Sequence, residues 1–103
     1  MKVYNKLVRD RIPEIIASQA KRCEVRVLTD AEYLQALEQK LDEELAEYHA
    51  SGEMEELADL LEVIHAIVAA KGQDTRALYE MMEQKAAARG RFENKLLLVS
   101  VDK

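Results

Sequence analysis

The chain has 103 residues, a formal net charge of -5 and one cysteine, Cys23. A chain of this length makes one domain, residues 1–103, with a modest core, so a dimer or larger assembly is expected. The acidic balance argues against binding of a nucleic-acid polymer, a lone cysteine excludes an internal disulfide, and no apolar run approaches the ~20 residues that cross a bilayer.

The first ten residues show no helical period, with Val3, Leu7 and Val8 interleaved with Asn5, Lys6 and Arg9. They read as an extended arm lying on the body. They also lack the apolar centre of a secretory signal, so a cytoplasmic protein is expected. Pro13 suits the first turn of a helix, where its missing N–H does no harm. That helix is expected to run to about Ala20, with Ile12, Ile15 and Ile16 on one face. Cys23 follows it and reads as a buried, inert thiol. Residues 24–28 (Glu-Val-Arg-Val-Leu) alternate as a short β run.

Thr29 and Glu32 have the spacing of a capping box and start a long helix to about Ala50. Its apolar stripe is Leu34, Leu37, Leu41, Leu45 and Tyr48. The next helix runs from Glu53 to about Lys71, with Leu57, Leu60, Leu61, Ile64, Ile67 and Val68 inward and Val63, Ala66 and Ala70 widening one flank. A last helix starts near Asp74, a good N-cap, and ends near Gly90, with Leu78, Met81 and Met82 as ordinary core. Residues 96–101 (Leu-Leu-Leu-Val-Ser-Val) form a second β run, expected to pair with residues 24–28 because a lone strand is unstable. The expected fold is mostly α: a helical bundle with an extended N-terminal arm and a small two-stranded β ribbon.

The two middle helices each carry an acid followed three residues later by another. Side chains on a helix advance by about 100° per residue. Glu44 and Glu47 therefore lie roughly 60° and 120° from the centre of their stripe, and Glu56 and Asp59 roughly 70° and 130° from theirs, in the same rotational sense. Folding the hairpin at Ser51-Gly52 brings Glu47 level with Glu56, and Glu44 level with Asp59, to within about 1.5 Å. Four carboxylates converge on one edge of the hairpin, and their repulsion calls for a hard divalent cation. All-oxygen ligation suits Mg²⁺ or Mn²⁺ rather than zinc. His49 and His65 project to the opposite side of their stripes and are set aside. By their helix positions alone, Glu43, Glu53, Glu55 and Glu62 read as solvated surface acids.

Lys85 and Arg89 sit on the inward stripe of the last helix, where cations need a reason. Either they snorkel out at the bundle end or they face the acids and bind phosphate oxygens, Arg through its planar fork. Lys6 and Arg9 in the arm are candidates for the same task, with Arg91 and Lys95 weaker ones. Metal and cations around an open acidic edge suit a polyphosphate substrate.

Glu43-Glu44-x-x-Glu47 followed by Glu56-x-x-Asp59 resembles the signature of the MazG-like all-α nucleoside triphosphate pyrophosphohydrolases. The opening Tyr4-Asn5-Lys6-Leu7-Val8-Arg9-Asp10-Arg11-Ile12-Pro13, and the ending around Lys85, Arg89, Gly90, Phe92 and Glu93, look like the phosphoribosyl-ATP pyrophosphohydrolase-like branch. The resemblance implies a MazG-like bundle, assembly as a dimer or tetramer, and hydrolysis of a nucleotide between its α and β phosphates to the monophosphate and pyrophosphate. It implies Mg²⁺ on Glu44, Glu47, Glu56 and Asp59. Glu43, the signature's preceding acid, supports those ligands or orients water. The chain departs from the branch at Arg11, where Lys is usual, and at Gly90-Arg91, where a Gly-Gly pair is common. Two other readings stand beside this one. They are phosphoribosyl-ATP hydrolysis in histidine biosynthesis, and a non-catalytic helical dimer that binds a nucleotide.

Overall fold

A computed structural model of the chain describes residues 2–103. It contains four helices: α1 (Ile12–Ser18), α2 (Asp30–Ser51), α3 (Met54–Ala70) and α4 (Thr75–Arg89). The fold is mostly α, as the periodicity requires. The capping box at the start of α2 is complete: the Glu32 N–H donates to Thr29 Oγ1 at 3.2 Å, and the Thr29 N–H donates to Glu32 Oε1 at 3.0 Å. These bonds and the Arg26 guanidinium hold the Glu32 carboxyl well below its ordinary value, at about 2. Asp74 caps α4 by accepting the Ala77 N–H at 2.9 Å. Pro13 lies in the first turn of α1, as expected.

The centre of the fold is the α2–α3 hairpin. Gly52 ends α2 at φ 68°, and its N–H donates to the Tyr48 carbonyl at 2.7 Å. That left-handed conformation suits glycine because a Cβ would crowd the following carbonyl. The chain reverses at once, and the Glu53 N–H donates to Ser51 Oγ at 3.2 Å. α4 meets α3 through His65 Nε2 and the Tyr79 hydroxyl, 2.8 Å apart, with the rings edge to face. The extended arm before α1 lies against the hairpin through ion pairs from Lys6 and Arg9.

The seam of the hairpin is rotated from the position the stripes predict. Among the described residues, the buried apolar side chains are Leu37 (3% exposed) and Val63 (8%), and Glu44 is buried with them (6%). Leu45, Leu57 and Leu61, which the stripes place inward, are exposed. Glu44 therefore lies against the seam rather than on an outer edge. The far flank of the hairpin is left uncovered, because the apolar surface is wider than one neighbour can bury.

Three other expectations are corrected. No strand forms among the described residues, so the β ribbon between 24–28 and 96–101 is absent. Neither run makes a backbone hydrogen bond, and Val27 and Leu96 are 94% and 87% exposed. Without a partner backbone or a surface to cover, an apolar alternating run has nothing to hold it as a strand. Cys23 is exposed rather than buried, because the segment carrying it packs on nothing. Met81 and Met82 are exposed too, since α4 touches only α3. The radius of gyration is 18.5 Å, against about 13 Å for a compact chain of this length.

Candidate metal centre

Helical spacing brings Glu44 from α2 and Glu56 and Asp59 from α3 to one point. One carboxylate oxygen of each lies within 4.8 Å of the others. Glu56 and Asp59 are half-buried, and Glu44 sits deepest, one turn beyond Lys40 on the buried face of α2. Glu47, the fourth signature acid, is exposed and lies outside this tight group. Its carboxylate is still close enough to act on both Glu44 and Glu56.

The electrostatics are those of a site short of positive charge. Burial pushes the Glu44 carboxyl above its ordinary value; the neighbouring Glu47 carboxylate adds to this, and Lys40 only partly offsets it. Glu56 is pushed up for the same reasons, desolvation first, then Glu47, then the charges of Asp59 and Glu44. Two oxygens, Glu44 Oε2 and Glu56 Oε2, are buried with no hydrogen-bond partner. An unpaired buried carboxylate oxygen is costly, so its presence asks for a partner from outside the chain. Three converging carboxylates with no nitrogen or sulfur donor among them fit Mg²⁺ or Mn²⁺, hard cations that take oxygen.

Cations ring this cluster. Lys6 Nζ is 2.6 Å from Glu43 Oε1, and that contact raises the Lys6 ammonium and lowers the Glu43 carboxyl. Arg9 donates to Asp59 Oδ1 at 2.8 Å and reaches Glu62 at 3.7 Å. The arm cations expected at a substrate are therefore paired with the acids. Glu43 sits beside the cluster, held by Lys6 and by Lys40. Lys40 Nζ stands 3.6 Å from both Glu43 and Glu44, and its position was legible as i,i+3 and i,i+4 spacing to the two signature acids. Glu62 is also drawn in as a partner of Arg9, though it stays largely exposed.

Lys85 and Arg89 are not brought to the cluster. Both are exposed on α4, and among the described residues neither pairs with a carboxylate. Arg91 instead chelates Glu83 through one nitrogen, at 2.9 and 3.0 Å. His49 is exposed, as its direction implied. His65 overturns the directional reading: it lines a cavity of about 640 Å³ beside Glu44 and Asp59. The rotation of the seam moves its side of α3 toward the site, and its Nε2 is engaged by Tyr79.

A 45-residue stretch of the chain is 53% identical to an uncharacterized protein of Mycolicibacterium smegmatis (strain ATCC 700084 / mc(2)155), a match that covers 44% of this chain and 46% of that protein. The matched part is thus under half of that relative's length. No family model matches the chain. No solved structure matches it either.

Proposed function

We propose that the chain is a metal-dependent nucleotide pyrophosphohydrolase, splitting a nucleoside triphosphate or related nucleotide into the monophosphate and pyrophosphate and serving to clear the nucleotide pool. The observation that carries this reading is the buried Glu44 carboxylate, with an oxygen lacking any partner, at the centre of converging acids and ringed by cations. Glu44, Glu56 and Asp59 are the ligands for Mg²⁺ or Mn²⁺, with Glu47 within reach as a fourth. Bound there, the metal supplies charge neutralisation for phosphate oxygens and a lowered pKa for an attacking water.

The chain's own residues do the rest. Glu43 is fixed by Lys6 and Lys40 beside the ligands, where a carboxylate can orient water or take its proton. Arg9, which pairs with Asp59, would suit a phosphate through its planar fork if a cation took its place on that carboxylate. Lys40, half-buried at the inner end, is placed to oppose charge that develops on the substrate. Lys85 and Arg89 enter this scheme only from another subunit, since α4 does not carry them to the cluster of their own chain.

A homodimer or homotetramer in the MazG-like manner accounts for the extended shape and the uncovered flank of the hairpin. None of the described helices is long and apolar enough to cross a membrane. The unpaired thiol of Cys23 suits a reducing cytoplasm. The test is thermal stabilisation and calorimetric binding with Mn²⁺ for the native chain and for Glu56→Gln. Saturable binding lost in the variant supports the centre. Equal binding by both, or by neither, removes it.

A further inference from the structure

We propose that the two apolar extended runs, residues 24–28 and 96–101, pair with each other between two copies of the chain. The C-terminal run of each copy forms an antiparallel ribbon with the partner's run ahead of α2. Seven large apolar side chains stand on these runs, Val25 and Val27 on the first and five between Leu96 and Val101 on the second, each at least 62% exposed. Neither run makes a backbone-to-backbone hydrogen bond, so both present open edges, and an open edge is a template for another strand. The backbone ahead of each run is fixed by a turn. Ala20 takes φ 58° where α1 closes, and the next N–H, of Lys21, donates to the Ile16 carbonyl at 3.3 Å. Lys95 takes φ 59°, and its N–H donates to the Phe92 carbonyl at 3.4 Å. A residue with a Cβ is strained in that left-handed region, so the direction in which each run leaves is held at a cost.

The occupant is a second copy because each chain carries both halves of the pair and holds them apart. The first run leads into α2 at the end of the hairpin where α3 finishes, since Tyr33 and His65 line one cavity there. α4 has 15 residues, so it carries the second run about 22 Å from that corner. The turn at Phe92–Lys95 then shortens the stretch that could lead back. Between two copies the exchange is isologous: the same pair forms twice about a two-fold axis and closes. One antiparallel register matches both faces and charges. Val25 opposite Val99 sets Val27 opposite Leu97, Leu28 opposite Leu96 and Arg22 opposite Asp102. A slip of two residues one way sets Glu24 against Asp102, and the other way sets Lys95 against Val27. Covering the seven side chains removes roughly 700 Å² from each chain, close to the ~800 Å² per partner of a stable interface. Leu28, Leu96 and Leu98 leave the second face apolar too, so the ribbon lies between the two bodies, where it escapes the marginal stability of a lone ribbon in water. A foreign peptide would need only one of the runs. The exchange does not depend on the metal centre.

Disulfide trapping in the full chain tests this, with Cys23→Ser as the background so that each chain carries a single cysteine. One chain carries Val25→Cys. It is refolded together with a second chain carrying Leu97→Cys, Leu98→Cys, Val99→Cys or Val101→Cys, and the mixture is oxidised. The Val25→Cys and Val99→Cys pair is expected to give a covalent heterodimer, released by reductant, at least about fivefold faster than the diagonal pairs with Leu97→Cys and Val101→Cys. Leu98→Cys lies on the other face and is expected to give none, because a disulfide needs facing Cβ atoms and Cα atoms within about 7 Å. A chain carrying both Val25→Cys and Val99→Cys is expected to trap as a covalent dimer. Trapping of that chain as a closed monomer overturns the proposal by placing the pair within one copy. Equal rates at all four tail positions, or equal trapping by the single-cysteine chains unmixed, reveal random collision and overturn it as well. No trapping at any position, with helicity unchanged from the native chain, overturns it outright.

Discussion

Replacing Glu44 by Gln should stabilise the metal-free protein and abolish its affinity for metal. Glu44 is 6% exposed, and its Oε2 has no hydrogen-bond partner. Leaving such an acceptor buried and unpaired costs about 1–3 kcal/mol. Against this stands the attraction of Lys40, whose ammonium is 3.6 Å from Oε1, too far for a good hydrogen bond. An ion pair of that kind contributes about 0.2–1 kcal/mol. Gln keeps the shape, removes the charge and can donate to the neighbouring Glu47 carboxylate. The balance favours Glu44→Gln by about 1 kcal/mol, or about 4–8 °C in Tm for a domain of this size.

The pH dependence gives a second signature. The Glu44 carboxyl titrates above its ordinary value, so over that window the folded state binds more protons than the unfolded chain. Stability from this residue is then greatest at low pH and falls as pH rises through the raised value, so the advantage of the variant grows in the same direction. The assay is thermal unfolding in EDTA and in Mn²⁺ at several pH values. Native protein should gain Tm on adding Mn²⁺ and the variant should not. A variant less stable than the native chain in EDTA, yet stabilised equally by Mn²⁺, would refute the reasoning.

Arg9→Ala removes a cation that competes for Asp59, so Mn²⁺ should bind up to about fivefold more tightly while nucleotide binding weakens; weaker binding of both would mean the arm builds the metal site. Thr29→Ala should destabilise α2 by about 1 kcal/mol, read as a loss of Tm. Glu32 is held at about 2, so its contribution is present above the ordinary Glu value and lost as pH falls through about 2. A helicity titration of Glu32→Gln should therefore lack that low-pH step. Sedimentation of the native chain should give a dimer or tetramer, and a monomer at micromolar concentration would leave the uncovered flank of the hairpin unexplained.

The helices and caps were legible in the sequence because each rests on neighbouring residues: Thr29 with Glu32, Asp74 with Ala77, Gly52 after Ser51. The grouping of Glu44, Glu56 and Asp59 was legible too, since one tight turn fixes the level of two straight helices. The depth of Glu44 was not. The centre of a wide apolar face depends on which flank a neighbour covers, and the periodicity of Leu41, Leu45 and Tyr48 cannot supply that. The same rotation placed His65 on the wrong side. The partners of Lys6 and Arg9 escaped because an extended arm has no period to fix its direction. The runs at 24–28 and 96–101 show the limit most plainly: alternation makes a strand possible, and only a partner backbone makes it form.

The central claim is tested most directly by pyrophosphate release from a panel of nucleotides, phosphoribosyl-ATP included, with and without Mg²⁺. The account predicts stoichiometric monophosphate and pyrophosphate from at least one nucleotide, dependent on Mg²⁺ and lost in Glu56→Gln with helicity unchanged. Folded protein that releases pyrophosphate from none of them, or a Glu56→Gln variant that keeps full activity, would contradict it.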